Sequence, residues 1–294
     1  MNKPTEEHKE PEESEYPGYP LWMSEVTKKD TEEFCIDACK ENPDSLNEFR
    51  SAFIEMAGNR LMKHKDALRI LLKQKVLGGN LHQRAFEDDE ANEGFRFWQA
   101  GEHCIAAMMY GGLLARKLGC DDDEVIKVEK ACLLHDAGKP EEIKRIRSGG
   151  ESVKDAIDGS AENFKKQLTA AGLSGVFPLV DAIMLYSDGE VLEAESMSEE
   201  QKIVSYVDMI LDTTALCTIE DRLAEDADHW KENYRQTLER YEGESLRDRF
   251  KRTGSSIEKE FAESLGVEIE PNEFPNYCRE MLAEEVREYM AQSA

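Results

Sequence analysis

From about residue 94 to residue 220 the apolar residues recur at helical spacing, and almost nothing in that stretch alternates as a half-buried strand does. The spacing predicts helices over 101–118, 123–136, 177–186 and 201–220. Gly119 ends the first, and Gly138 and Pro140 close the second. There are no alternating Val/Ile/Thr runs, no Asn-Gly hairpin signals and no internal repeat. The fold class this implies is all-α: a helical bundle with additional helices at both ends.

Helical phase then singles out three polar residues. In the first helix His103, Ala107, Tyr110, Leu114 and Leu118 fall on one stripe. In the second, Val125, Val128, Cys132 and His135 do the same, and in the fourth Val204, Asp208, Leu211 and Ala215 share a face. Each imidazole or carboxylate therefore lies on the core-facing side of its own helix. Polar groups so placed need partners, and one shared cation would satisfy all three together.

The flanks are different in character. Residues 1–20 are rich in Glu and Pro and read as a disordered acidic tail. Residues 21–93 form an N-terminal helical extension, helical from about 27 to 78, broken at Asn42-Pro43 and stopped by Gly78-Gly79. Phe49, Phe53, Met56, Arg60 and Lys63 trace one side of a helix there, and Phe86 to Glu93 is an acidic linker. The core domain is 94–220. Residues 221–294 are a strongly charged helical extension interrupted at Gly243, Gly254 and Pro271.

Charge and cysteine content exclude some functions. The net charge of -26 repels a polyanion, so long DNA or RNA is a poor substrate. A small phosphorylated molecule is still admissible, because a metal and a few cations reverse the field locally. No run approaches the roughly 18 apolar residues of a membrane span, and the N-terminus lacks the apolar segment of a secretory signal, so a cytoplasmic location is expected. The seven cysteines are scattered, with no CxxC pair, and read as reduced, buried thiols. Cys35 and Cys39, one helical turn apart, could share a metal, but buried thiols are the simpler reading.

The run ACLLHDAGKP, residues 131–140, is the strongest local signal. Adjacent residues on a helix splay by about 100°, yet in a last turn before glycine His135 and Asp136 can lean toward one point. With His103 in GEHCIAAMMYGGLLARKLG and Asp208 in KIVSYVDMILD, the chain resembles the HD superfamily of metal-dependent phosphohydrolases, whose signature is H…HD…D on a helical core. The resemblance covers roughly 94–215. It implies an HD-domain bundle in which His103, His135, Asp136 and Asp208 hold a metal.

HD-GYP phosphodiesterases, members with two metals, add histidines between the HD pair and the last aspartate. Here Tyr186 and Ser187 stand where a His-His pair would be, and Asp188 reads as a turn residue before Gly189. The resemblance therefore implies one divalent ion, of Mn, Ni, Co, Fe, Zn or Mg identity. It also suggests Lys139 and Arg96 as phosphate-holding cations; Arg96 lies seven residues before His103, as an arginine does in the related 5′-deoxynucleotidases. Asp136, Lys139 and Glu102 are the catalytic candidates, with Glu102 as base or as a partner to the adjoining ligand. The related nucleotidases carry Glu where Lys139 falls, so their acid–base chemistry does not transfer directly.

Taken singly, these residues have ordinary readings: His103 as a core histidine, Asp208 and Glu102 as solvated acids, Lys139 as a helix-end cation, Arg96 as an ion-pair partner. His8, His64, His82 and His229 read as structural or surface residues. Order, phase and spacing together favour a metal-dependent hydrolase of a phosphoester or phosphoanhydride, most plausibly in a nucleotide. The alternative of another class is a non-catalytic HD-fold signalling or binding module. The expected partner is a small phosphorylated substrate, with no long nucleic acid and no membrane, and self-association into a homo-oligomer is left open. We predict no appreciable binding of long duplex DNA or structured RNA at physiological salt; a gel-shift showing sub-micromolar affinity with steep salt dependence would overturn this.

Overall fold

The computed structural model describes residues 46–74, 76, 100–148, 153–184, 191–212, 215–225, 243–270 and 272–293. The expected tail, the Cys35/Cys39 pair, the 86–93 linker and the breaks at Asn42-Pro43, Gly78-Gly79 and Pro271 lie outside them. The described residues form α1 (Leu46–Leu61), α2 (Lys65–Lys73), α3 (Ala100–Leu118), α4 (Asp122–Leu134), α5 (Lys139–Ser148), α6 (Val153–Ala170) and α7 (Phe177–Met184). A short 3-10 turn at Ala194–Ser196 leads to α8 (Glu199–Ile210), two-residue strands β1 (Leu211–Asp212) and β2 (Ala215–Leu216), α9 (Ile219–Glu225), α10 (Leu246–Leu265) and α11 (Phe274–Ser293). The fold is all-α, and among the described residues no helix is long and apolar enough to cross a membrane.

Local chemistry sets where the site-bearing helices begin and end. Asp121 caps α4, accepting from the Glu124 amide while the Glu124 side chain accepts from the Asp121 amide. Ser198 and Gln201 repeat this reciprocal pair at the start of α8. Ser245 caps α10, and Gly266, at φ 66°, closes it in the left-handed conformation open to glycine.

Two sequence expectations are corrected. The helix expected over 201–220 stops at Ile210: Leu211 is extended and pairs with Leu216. The cause is local, because Thr218 is the cap of a new helix, its hydroxyl oxygen accepting from the Asp221 amide. Leu211 and Ala215 therefore do not extend the helical face of Asp208. The break expected at Gly254 is absent, since α10 runs straight through it. A Cβ there would lie 2.5 Å from Ile219 Cδ1 and 3.2 Å from Met209 Sδ, so this glycine lets α10 approach α8 and α9 closely.

α3 and α4 pack side by side, α8 lies against both, and α7 and α10 flank α8. A continuous apolar core joins these helices to α1, α2 and α11, with Phe49, Leu71, Leu113, Leu133, Tyr206, Phe261 and Phe274 among its buried members. Burial at roughly 25 cal/mol per Å2 of apolar surface is the main stabilising term for such a bundle.

A polar network pins the same helices on the side of α4 occupied by Glu129. Glu129 is buried, accepting from His64 Nε2 at 2.7 Å and Arg116 Nη1 at 3.0 Å. Arg116 Nη2 also donates to Glu285 of α11 at 3.1 Å, and Arg60 of α1 pairs with the same carboxylate. Gly112 makes room for Glu129, because a Cβ there would overlap the carboxylate. Burial raises the Glu129 pKa, but the hydrogen bond and charge of His64, with Arg60 and Arg116, bring it below the ordinary value. A depressed carboxylate pKa contributes stability that is present above the unfolded value, about 4.3, and lost as pH falls through the folded one. We predict that Glu129→Gln lowers stability by about 3 kcal/mol at pH 7, and that urea melts show this gap closing below about pH 4.

Candidate metal centre

Three helices deliver one polar side chain each to a common point. His103 comes from the first turn of α3, Asp208 from the last turn of α8, and His135 from the residue that ends α4. His103 Nε2 lies 3.0 Å from His135 Nε2 and 3.1 Å from Asp208 Oδ1, and His135 Nε2 lies 3.3 Å from that same oxygen. His135 and the apolar run before it, Ala131 to Leu134, are buried. The histidine rings meet edge-on, at 63°.

The hydrogen bonding of His135 decides what the point can hold. His135 Nδ1–H donates to the Cys132 carbonyl at 2.6 Å, which leaves Nε2 with a lone pair in the neutral ring. His103 Nε2–H can donate to one neighbour but not to both. The three atoms are thus short of positive charge. Burial pushes the His135 pKa down, but the Asp136 and Asp208 carboxylates outweigh it and raise the pKa to about 9. Burial likewise raises Asp208, yet hydrogen bonds and charge from His103 and His135 hold it well below the carboxylate range.

The spacing fits a cation as well as a proton. Metal–nitrogen and metal–oxygen bonds of about 2.0–2.2 Å, at tetrahedral or octahedral angles, place donor atoms about 3.0–3.4 Å apart. His103, His135 and Asp208 together could hold a metal ion, with one ligand atom from each within 4.8 Å of the others. A carbonyl that fixes the distal nitrogen of a histidine is the usual support for a ligand ring. The cluster is closed on its histidine side and open on its carboxylate side: side-chain exposure is 1% for His135 against 20% for Asp208 and 18% for Asp136.

The remaining sequence candidates are placed less uniformly. Asp136, in the turn after α4, brings Oδ2 to 3.6 Å from His135 Nε2, beside the three-donor group. Lys139 opens α5 rather than ending a helix, and its ammonium donates to both oxygens of Glu142 at 3.2 and 3.3 Å. Arg96, Tyr186, Ser187 and Asp188 lie outside the described residues, as does the side chain of Glu102. Sequence reading did not single out Glu142; a Lys139-x-x-Glu142 spacing on one helical face was the available signal. Burial in α4 pushes the Cys132 thiol up, away from its reactive thiolate form.

The HD domain family model matches residues 100–211, a span that begins just before His103 and ends just after Asp208. Over these residues the chain is similar to an HD domain. No curated protein and no solved structure matches the chain. The HD description points to a superfamily of metal-dependent phosphohydrolases, and the His-His-Asp group falls within the matched span.

We predict that chelator-stripped protein remains folded, because the bundle has its own apolar core, but melts lower than protein given a divalent ion. At a hundredfold excess over Kd the gain is about 2.7 kcal/mol, a shift of a few degrees. Differential scanning fluorimetry with Mn, Ni, Co and Zn checks this; superimposable melts would count against a metal centre.

Proposed function

We propose that the chain hydrolyses a phosphoester or phosphoanhydride in a small phosphorylated molecule, a nucleotide, using one divalent ion. The observation that carries the reading is the meeting of two imidazole nitrogens and a carboxylate oxygen within 3.0–3.3 Å inside an HD domain. His103, His135, Asp136 and Asp208 are the proposed ligands. A bound divalent ion would supply Lewis acidity toward a phosphoryl oxygen and lower the pKa of a water.

The protein groups then have distinct tasks. His135 is kept in one tautomer by the Cys132 carbonyl, so its Nε2 stays aimed at the ion. Asp136, on the open side, accepts a proton from attacking water as well as ligating in this reading. Lys139, steadied by Glu142 at the start of α5, neutralises phosphate charge, and Arg96 shares that task in this reading. Glu102, next to His103 in sequence, serves as base or as a partner to that ligand. One ion rather than two is supported by the sequence, where no histidine occurs between His135 and His229.

The test is a substrate panel of nucleoside mono- and triphosphates, cyclic nucleotides and a chromogenic phosphoester, run against each divalent metal. His135→Ala and Asp208→Ala are expected to lose both bound metal and turnover. Lys139→Ala is expected to keep its metal and lose about 10²-fold in kcat/KM, since an ammonium stabilises phosphate charge without ligating a cation. Metal uptake without turnover on any panel member would favour the non-catalytic module.

A further inference from the structure

Ser205 lies on α8 three residues before Asp208, and its side chain is fully buried. Among the described residues its hydroxyl has no hydrogen-bond partner. That is unusual in two respects. A buried hydroxyl normally finds a partner, and a helical serine has one within easy reach in the carbonyl one turn back. Ser205 takes neither.

Residues three apart are neighbours on a helix, with Cβ atoms about 5–6 Å apart. Side chains also lean toward the helix N-terminus, so Asp208 leans over the turn that carries Ser205. The hydrogen bonds of Asp208 made by described residues go to Oδ1, from the two imidazoles. Once a cation takes the imidazole lone pairs, His135 no longer donates to that carboxylate. Ligating carboxylates need hydrogen-bond support of their own. The apolar residues of α8 nearest Asp208, Val204 and Val207, offer none.

We propose that Ser205 is a positioning residue for Asp208: its hydroxyl donates to the carboxylate oxygen turned away from the ion and so fixes Asp208 in its ligating orientation. This rests on the reading that His103, His135 and Asp208 hold a metal. It explains why an unpartnered hydroxyl sits in an otherwise apolar stretch, because its partner is formed only in the ion-bound arrangement.

The experiment is calorimetric titration of chelator-stripped, full-length protein with Co(II) or Mn(II), paired with melting curves of the stripped proteins. Ser205→Ala is expected to bind the ion about tenfold or more weakly, yet to melt at the same or a higher temperature when stripped, since removing an unpartnered hydroxyl relieves a desolvation cost. Ser205→Thr, which keeps the hydroxyl, is expected to bind within a few-fold of wild type. Equal affinity for Ser205→Ala and wild type would overturn the proposal. So would weak binding by both variants, or a stripped Ser205→Ala that melts markedly lower, because each points to packing rather than to the hydroxyl. A wild-type protein that takes up no ion would remove the metal reading itself, and this proposal with it; wild-type uptake with unchanged Ser205→Ala removes only the role of Ser205.

Discussion

Where α3, α4 and α8 cross, two imidazoles and a carboxylate are packed within 3.0–3.3 Å of one another, and neutral imidazoles cannot satisfy a carboxylate and each other at once. The arrangement holds only if positive charge enters it. The raised pKa of His135 and the lowered pKa of Asp208 express one demand, and a proton or a divalent ion can meet it. A proton gives the pocket one unit of charge, while an ion gives two and takes all three lone pairs. The core around the site is rigid enough to keep the donors in place, for Ala131, Cys132, Leu133 and Leu134 leave no exposed face on the last turn of α4.

The same helix answers a second polar problem six residues earlier, about 9 Å along its axis. Glu129 accepts hydrogen bonds from His64 and Arg116, with Arg60 nearby, and Arg116 and Arg60 share Glu285 of α11. The chain thus ties helices from both ends of its sequence to α4 through side chains as well as through the apolar core. Removing a partner of Glu129 leaves a buried carboxylate less well paired, which is costly, so the network orients α4 and with it the point where His135 emerges. Gly112 in α3 has its value here, as the absence of a side chain where Glu129 must lie.

Much of this was legible in the sequence because helical phase is a local property. The stripe that begins at His103 and the one that ends at His135 needed only a count of residues, and the all-α class followed from the absence of alternation. The end of α8 was misjudged because apolar spacing continues past Ile210 while the backbone does not; Thr218-x-x-Asp221 was the capping signal that should have divided the segment. Gly254 was read as a breaker because a glycine's usual effect on a helix is intrinsic, whereas its role here depends on Ile219 and Met209, which are distant in sequence or on another helix. The Glu129 network and the unpartnered hydroxyl of Ser205 were beyond sequence reading altogether. One needs pairings such as His64 with Glu129, 65 residues apart, and Arg116 with Glu285, 169 apart, and the other is defined by what it fails to touch.

The acidity of the chain bears on how such a site could work. With a net charge of -26, a phosphate approaching the open, carboxylate side of the cluster meets Asp136 and Asp208 before it meets either histidine. Coulomb repulsion at that range is strong in a partly buried setting and little screened by salt. A divalent ion on the three donors reverses the local sign, and Lys139 at the start of α5 adds a fixed positive group on the same stretch of chain. In the proposed reaction the ion would therefore have to bind before the phosphate or arrive with it. A pocket already holding its ion has no such order of events imposed on later turnovers, so the acidity would act on the first loading and on discrimination against long polyanions, not on the chemical step.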